Sequence, residues 1–435
     1  MEQKLTYSKI LKFWLPLSAT WLMMSIEGPY LTALIARMPE PEFNLAAYGV
    51  AFSIALIVES PVIMLMSASI ALVENKNSFC KLRSFVYMLN LLLILFMSLL
   101  IFFPVYDFIF IDILNLPERV AHLTHMAVAL LIPWAPAIGY RRFYQGVLIK
   151  NNLTRKVAYG TVIRLTAMSL TAFVLFTFSE SHGVVVGAAA LSAGVIAEAI
   201  ITRFMAAGIV KKIRSGEDDG KKISYGEIIS FYYPLVLTSF ISLGIHPVVV
   251  FFLGQSRMSL ESLAVLPVLN SFVFIFRAFG LSYQEAGVAL MKREHEFVKL
   301  KNFAAGLAVS VVAVLGIISF TSLSELWLKN VSGLSNELTN FAKLPLMIYT
   351  FFPATTAWIN FQRSILVYNR NTKPISFATL IEVTGIVLIL TVTIKFFDVV
   401  GVTAAIISYT LGRIAAIGYL TIPFNEAKRK IKTIL

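Results

Sequence analysis

Eleven ionisable side chains fall inside long apolar stretches. They are Glu27, Glu59, Arg141, Arg142, Arg164 and Glu198 in the first half, and Arg277, Glu285, Arg363, Glu382 and Arg413 in the second. A charge facing lipid is costly, so such a set marks a polar pathway or pairs buried between helices. The chemistry open to it is non-covalent. Carboxylates hold cations or protons, and guanidinium groups grip carboxylates and phosphates through two-pronged hydrogen bonds. No compact cluster of nucleophile, base and oxyanion donors accompanies these residues, so an enzyme is not expected. Cys80 is the only cysteine, and His122 and His125 share a helix face without a third ligand. No metal site and no cofactor are therefore expected.

The elements that must carry these charges are membrane helices. Of the 435 residues 58% are hydrophobic and only 14% charged, and the mean hydropathy is +0.79. A spanning helix needs roughly 20 apolar residues. Twelve segments qualify, at about 10–36, 45–73, 84–111, 121–149, 157–178, 183–209, 227–253, 262–291, 302–322, 340–367, 375–396 and 400–422. The first is too long for a signal peptide. Lys and Arg gather on one side, among them Lys9, Lys12, Lys76, Lys81, Arg83, Lys150, Arg155, Lys156, Lys299 and Lys301. The opposite loops carry Glu40, Glu42, Asp107, Asp112 and Asp398. This bias accounts for the net charge of +13 and puts both termini in the cytoplasm, so nucleic-acid binding is not expected.

The chain also repeats itself. Residues n and n + 218 match without a gap: Phe13-Trp14-Leu15-Pro16-Leu17 with Phe231-Tyr232-Tyr233-Pro234-Leu235, Leu45-Ala46 with Leu263-Ala264, Leu148 and Asn151 with Leu366 and Asn369, and Gly183 and Gly194 with Gly401 and Gly412. Six segments fall in each half, so the repeats run parallel. The expected lobes are 1–218 and 219–435, around a central cleft. Lys211 to Ser224, with Gly216-Glu217-Asp218-Asp219-Gly220, reads as a flexible linker between them. Duplicated halves of this kind are the usual architecture of secondary transporters. No Gly-rich phosphate loop is present, so ATP hydrolysis is not expected to drive the cycle.

The repeat relates charges to one another. Glu59 corresponds to Arg277, and Arg164 to Glu382, each with the sign inverted. Glu59 and Arg277 lie at one depth and are expected to face each other across the cleft, with Glu27 near the kinks at Pro16 and Pro29 able to join them. Glu27 or Glu59 is expected to titrate during the cycle. Arg164 with Glu198, and Glu382 with Arg413, are expected to pair between adjacent helices within each half; substrate or proton binding is the alternative for these four. Arg141, Arg142 and Arg363 sit near helix ends, where snorkelling to lipid phosphates accounts for them.

The Phe13–Leu17 segment, its repeat, and the run Arg141-Arg142-Phe143-Tyr144-Gln145-Gly146-Val147-Leu148 resemble the multidrug and toxic compound extrusion (MATE) proteins and their wider flippase-exporter (MOP) superfamily. The resemblance implies twelve helices in two six-helix lobes about a V-shaped cleft. Residues Leu45 to Ser53 and Phe231 to Pro247 resemble the progressive ankylosis protein branch, which implies export of organic anions such as citrate, pyrophosphate or nucleotides. The drug-extrusion branch implies organic cations exchanged for protons or sodium. An aspartate common there towards the outer end of the first helix has Glu27 as its nearest counterpart here, earlier on the helix. A flippase for lipid-linked intermediates is a third reading. The expectation is thus a small-molecule exporter, monomeric, in a bacterial inner membrane, with H+ or Na+ as the coupling ion.

Overall fold

The computed structural model describes residues 5–433 apart from 152, 217–221, 292–293, 370 and 372. Regular structure among the described residues is helical throughout. Among the described residues ten helices are long and apolar enough to cross a membrane. The membrane segments are α1 (Tyr7–Ser25 and Glu27–Ile35), α2 (Pro41–Glu59 and Leu65–Leu72), α3 (Lys76–Leu100), α4 (Glu118–Leu131 and Trp134–Lys150), α5 (Thr154–Phe178), α6 (Gly183–Met205), α7 (Tyr225–Gly254), α8 (Ser259–Leu290), α9 (Glu294–Phe320), α10 (Asn336–Tyr349 and Phe352–Tyr368), α11 (Lys373–Lys395) and α12 (Gly401–Thr433). The two expected segments outside the ten, α1 and α10, are both interrupted. Neither piece of either is long and apolar enough alone. Local chemistry sets several ends. Asn75 and Ser78 form a reciprocal capping box at the start of α3, with both hydrogen bonds 2.9 Å long. Leu91, Leu92, Leu95 and Leu99 of the same helix stay exposed, as a lipid-facing stripe requires.

The 218-residue period is written into the backbone. Glu40 and Met258 both adopt positive φ, at 52° and 55°, and so do Asn115 and Gly333, at 51° and 76°. Both pairs are exact repeats. Such conformations are costly for residues other than glycine, so their recurrence at equivalent turns reflects shared geometry. The breaks after Leu131 and after Tyr349 correspond, as do the π-helical turns Asp107–Ile113 and Leu326–Val331. Glycine serves the same contact twice. A Cβ at Gly194 would stand 3.0 Å from the Arg164 carbonyl oxygen, and one at Gly412 would stand 2.9 Å from that of Glu382.

The halves differ at one site that matters below. α2 breaks after Glu59, through Ser60 to Met64, whereas α8 runs unbroken through the equivalent Arg277.

The chain divides into two compact units, Met38–Gly254 and Met1–Arg37 with Gln255–Leu435. These are not the expected lobes 1–218 and 219–435. α1 belongs with α8–α12, and α7 with α2–α6. The anchors are equivalent residues. Trp14 of α1 donates from Nε1 to Ser282 Oγ at 2.9 Å and packs on Phe279 and Phe303. Its counterpart Tyr232 of α7 donates to the Pro61 carbonyl at 2.5 Å and meets Phe85 edge-on. Pro61 lies in the α2 break, where interrupted helix leaves carbonyls needing a donor. The expected linker also differs: Ala207–Ser215 is helical, and the 218/219 boundary lies outside the described residues.

Candidate functional site

In the Met38–Gly254 unit the charges converge on Glu198 of α6, which is fully buried. Arg141 donates to its Oε2, and Gln145 donates to Oε1 at 3.1 Å. Arg164 Nε stands 3.7 Å from Oε2. Arg141 and Gln145 are four residues apart on α4 and therefore share a face. Gly194 lets α5 approach α6 closely enough for Arg164 to reach the same carboxylate. Burial of an ion costs several kcal/mol and is repaid only when its hydrogen-bonding positions are filled, and here both Glu198 oxygens accept a side-chain donor. Glu59 is also buried, at the C-terminal end of its helix. That end carries the negative pole of the helix dipole, so a carboxylate there needs nearby cations. Its electrostatic partners are Arg142, Arg141 and Arg164.

The other unit holds a second set. Arg413 of α12 grips Glu382 of α11, with Nε and a terminal nitrogen both 2.7 Å from Oε1. Its other terminal nitrogen is 3.4 Å from Thr356 Oγ1. The Phe352 ring, at the start of the second α10 helix, serves two cations: Arg277 lies 4.8 Å from its centroid and Arg413 lies 5.0 Å. Tyr349 closes this site, donating to Asn270 Oδ1 at 2.8 Å and interacting with Arg277. Glu27 opens the second helix of α1, in the first turn, where the helix dipole favours a carboxylate.

The expected Glu382–Arg413 pair is therefore formed. Glu198 does meet Arg164, but Arg141 is its closer partner. Arg141 is buried in that pair and does not snorkel. Arg142 and Arg363 are half-buried, and their Nε atoms are buried without an acceptor among the described residues. The electrostatic partners of Arg277 include Tyr349, Arg413 and Glu382. Gln145, Phe352, Tyr349 and Thr356 were not singled out from the sequence. The repeat held one clue, since Gln145 corresponds to Arg363.

Within the Met38–Gly254 unit Arg141, Arg142 and Arg164 accompany Glu59 and Glu198, and in the other unit Arg277, Arg363 and Arg413 accompany Glu27, Glu285 and Glu382. Among the described residues Arg142, Arg277 and Arg363 have no carboxylate within 4.0 Å. A half-buried guanidinium without a carboxylate beside it suits a carboxylate or phosphate ligand.

No family model matches the sequence, and no curated protein matches it. Solved structures do resemble it. An inward-facing multidrug resistance MATE family transporter of the MOP superfamily superposes with a TM-score of 0.73 at 12% identity, over 95% of this chain and 96% of that one. The lipid II flippase MurJ, in an inward closed conformation, gives 0.71 at 16% identity, over 96% and 90%. A MOP superfamily transporter from Pyrococcus furiosus, described as having a binding pocket of reverse polarity, gives 0.63 at 13% identity, over 99% and 100%. These identities speak to fold alone. The narrower resemblance to the progressive ankylosis branch finds no support among these structures. The chain is a multi-pass membrane protein of all-α architecture, with the fold of the MATE-like transporters of the MOP superfamily.

Proposed function

We propose that the chain is a secondary exporter of the MOP type, working by alternating access on an organic anion that carries carboxylate or phosphate groups. The observation that carries this reading is Arg277: it lies over the Phe352 ring with no carboxylate within 4.0 Å among the described residues, while Glu198 and Glu382 are engaged by Arg141 and Arg413. A site built for organic cations would favour carboxylates, and here Glu198 and Glu382 are already engaged by arginines. Citrate, pyrophosphate and nucleotides are the solutes of suitable charge. In this reading Arg277 binds the anion, Arg164, Glu198, Glu382 and Arg413 hold their helices in place, and Glu59 or Glu27 carries the coupling proton. We further propose that the protein acts as a monomer in a bacterial inner membrane, with both termini in the cytoplasm.

Likeness to the lipid II flippase favours a second reading, in which the anion is the diphosphate of a lipid-linked intermediate. Binding measurements on the detergent-purified protein separate the readings. Citrate or pyrophosphate binding that falls at least tenfold in Arg277→Gln supports the soluble-anion exporter. Binding of a polyprenyl diphosphate alone supports the flippase. Ethidium binding that survives Arg277→Gln and vanishes in Glu59→Gln would reverse the assignment to a cation-coupled drug antiporter.

A further inference from the structure

One basic cluster takes no part in the sites above. At the end of α6 and along the following helix Ala207–Ser215, an open recess of about 370 Å³ is lined by Arg203, Ala207, Val210, Lys211, Arg214 and Ser215. Three cations and a hydroxyl thus line one concavity, and no ion pair involving them occurs among the described residues. Arg203 is held in place: its guanidinium lies 5.3 Å from the centroid of the Tyr144 ring, and the Tyr144 hydroxyl is 3.3 Å from that of Tyr87. The helix is anchored from below, because Val210 is buried while Lys211, Lys212 and Arg214 are exposed. The recess also continues into an apolar surface. Ile200, Arg203 and Phe204 follow the spacing i, i+3, i+4 near the end of α6 and so form one stripe, and Ala207 opens the next helix. In that stripe Ile200 is 52% exposed and Phe204 is 70% exposed.

We propose that this recess is a binding site for an anionic phospholipid: Arg203, Lys211, Arg214 and Ser215 hold the headgroup phosphate, and Ile200 and Phe204 lie against its acyl chain. The cations alone would suit any phosphate. The apolar stripe leading out of them argues for a lipid, whose two ends match the two surfaces. The site lies wholly within one compact unit and on different residues from the transport arginines, so it stands whatever the transported solute is. Clusters of Lys and Arg beside a membrane helix attract acidic headgroups, each contributing about a fivefold gain in affinity.

Native mass spectrometry of the full chain in detergent, titrated with palmitoyl-oleoyl phosphatidylglycerol, phosphatidylcholine or inorganic phosphate, tests this. Phosphatidylglycerol is expected to bind at least tenfold more tightly than phosphatidylcholine. Lys211→Gln with Arg214→Gln, both exposed and safe for folding, should weaken it about 25-fold. The control Lys150→Gln with Arg155→Gln, basic residues elsewhere on the same unit, should change it less than threefold. Phe204→Ala should weaken the lipid and leave inorganic phosphate unmoved. Equal binding of the two lipids, equal losses in the Lys211/Arg214 and control pairs, or inorganic phosphate binding as tightly as phosphatidylglycerol would each overturn the proposal.

Discussion

Replacing Glu198 by Gln removes one charge and almost no volume, so its cost reports electrostatics free of any cavity. Glu198 is fully buried and is the only ion partner of Arg141 among the described residues, while Arg164 shares its Oε2. Breaking a buried pair by neutralising one partner costs about 3–5 kcal/mol. For a compact unit of this size each kcal/mol lowers the melting midpoint by about 2–4 °C, which gives a fall of about 6–20 °C. The assay is thermal unfolding of the detergent-purified protein by intrinsic fluorescence at a fixed scan rate. Glu382→Gln should fall less, because Arg413 keeps its contact with Thr356 and its place over Phe352. Arg141→Met and Arg164→Met combined with Glu198→Met remove all three charges and should melt above Glu198→Gln, since apolar replacement of a whole buried ion group is often neutral. A shift below about 2 °C for Glu198→Gln, or a triple variant melting below the single, would refute the reasoning.

Four further outcomes are expected. Trp14→Phe deletes the hydrogen bond to Ser282 and should cost about 0.5–1.5 kcal/mol, and Trp14→Ala about 3–5 kcal/mol; an unchanged melting midpoint in Trp14→Ala would contradict the placement of α1 with α8 and α9. Gly194→Leu and Gly412→Leu should both lose folded yield in size-exclusion profiles, whereas Gly418→Leu, with nothing within 4 Å of an added Cβ, should not. At the exposed Glu40–Arg119 pair, the hydrogen bond from Arg119 holds the Glu40 carboxyl below its ordinary range. Its small stabilisation is therefore complete at neutral pH and lost as pH falls through the carboxylate range, so the midpoint difference between wild type and Glu40→Gln should shrink from pH 7 to pH 3. Glu59→Gln should flatten the pH dependence of transport in proteoliposomes, and an unchanged profile in both it and Glu27→Gln would remove these carboxylates from proton coupling.

Much of the architecture was legible because the repeat is a property of the sequence. An ungapped 218-residue offset implies equivalent turns, and the positive-φ residues at 40 and 258 and at 115 and 333 sit where it requires. Hydropathy marks spans without naming their neighbours, so the exchange of α1 and α7 between units was hidden. It rests on single donors, Trp14 and Tyr232, that look like ordinary interfacial aromatics in a linear sequence. The site was read in part for a related reason. Depth along a helix follows from counting, which foretold that Arg413 would meet Glu382. Direction around the helix does not. Arg141 and Arg142 point about 100° apart, and nothing in the sequence said that Arg141 would take Glu198 while Arg142 would not. The role of Phe352 as a shared platform for two guanidinium groups needed the α10 break to be in place first.

The most direct test of the central claim is counterflow in proteoliposomes containing the purified protein, with citrate, pyrophosphate and ethidium measured side by side. The account predicts that one of the two anions is transported above protein-free vesicles, that Arg277→Lys weakens this transport, and that Arg277→Gln nearly abolishes it at wild-type folded yield. Ethidium transport without anion transport, retained in Arg277→Gln and lost in Glu59→Gln, would contradict it.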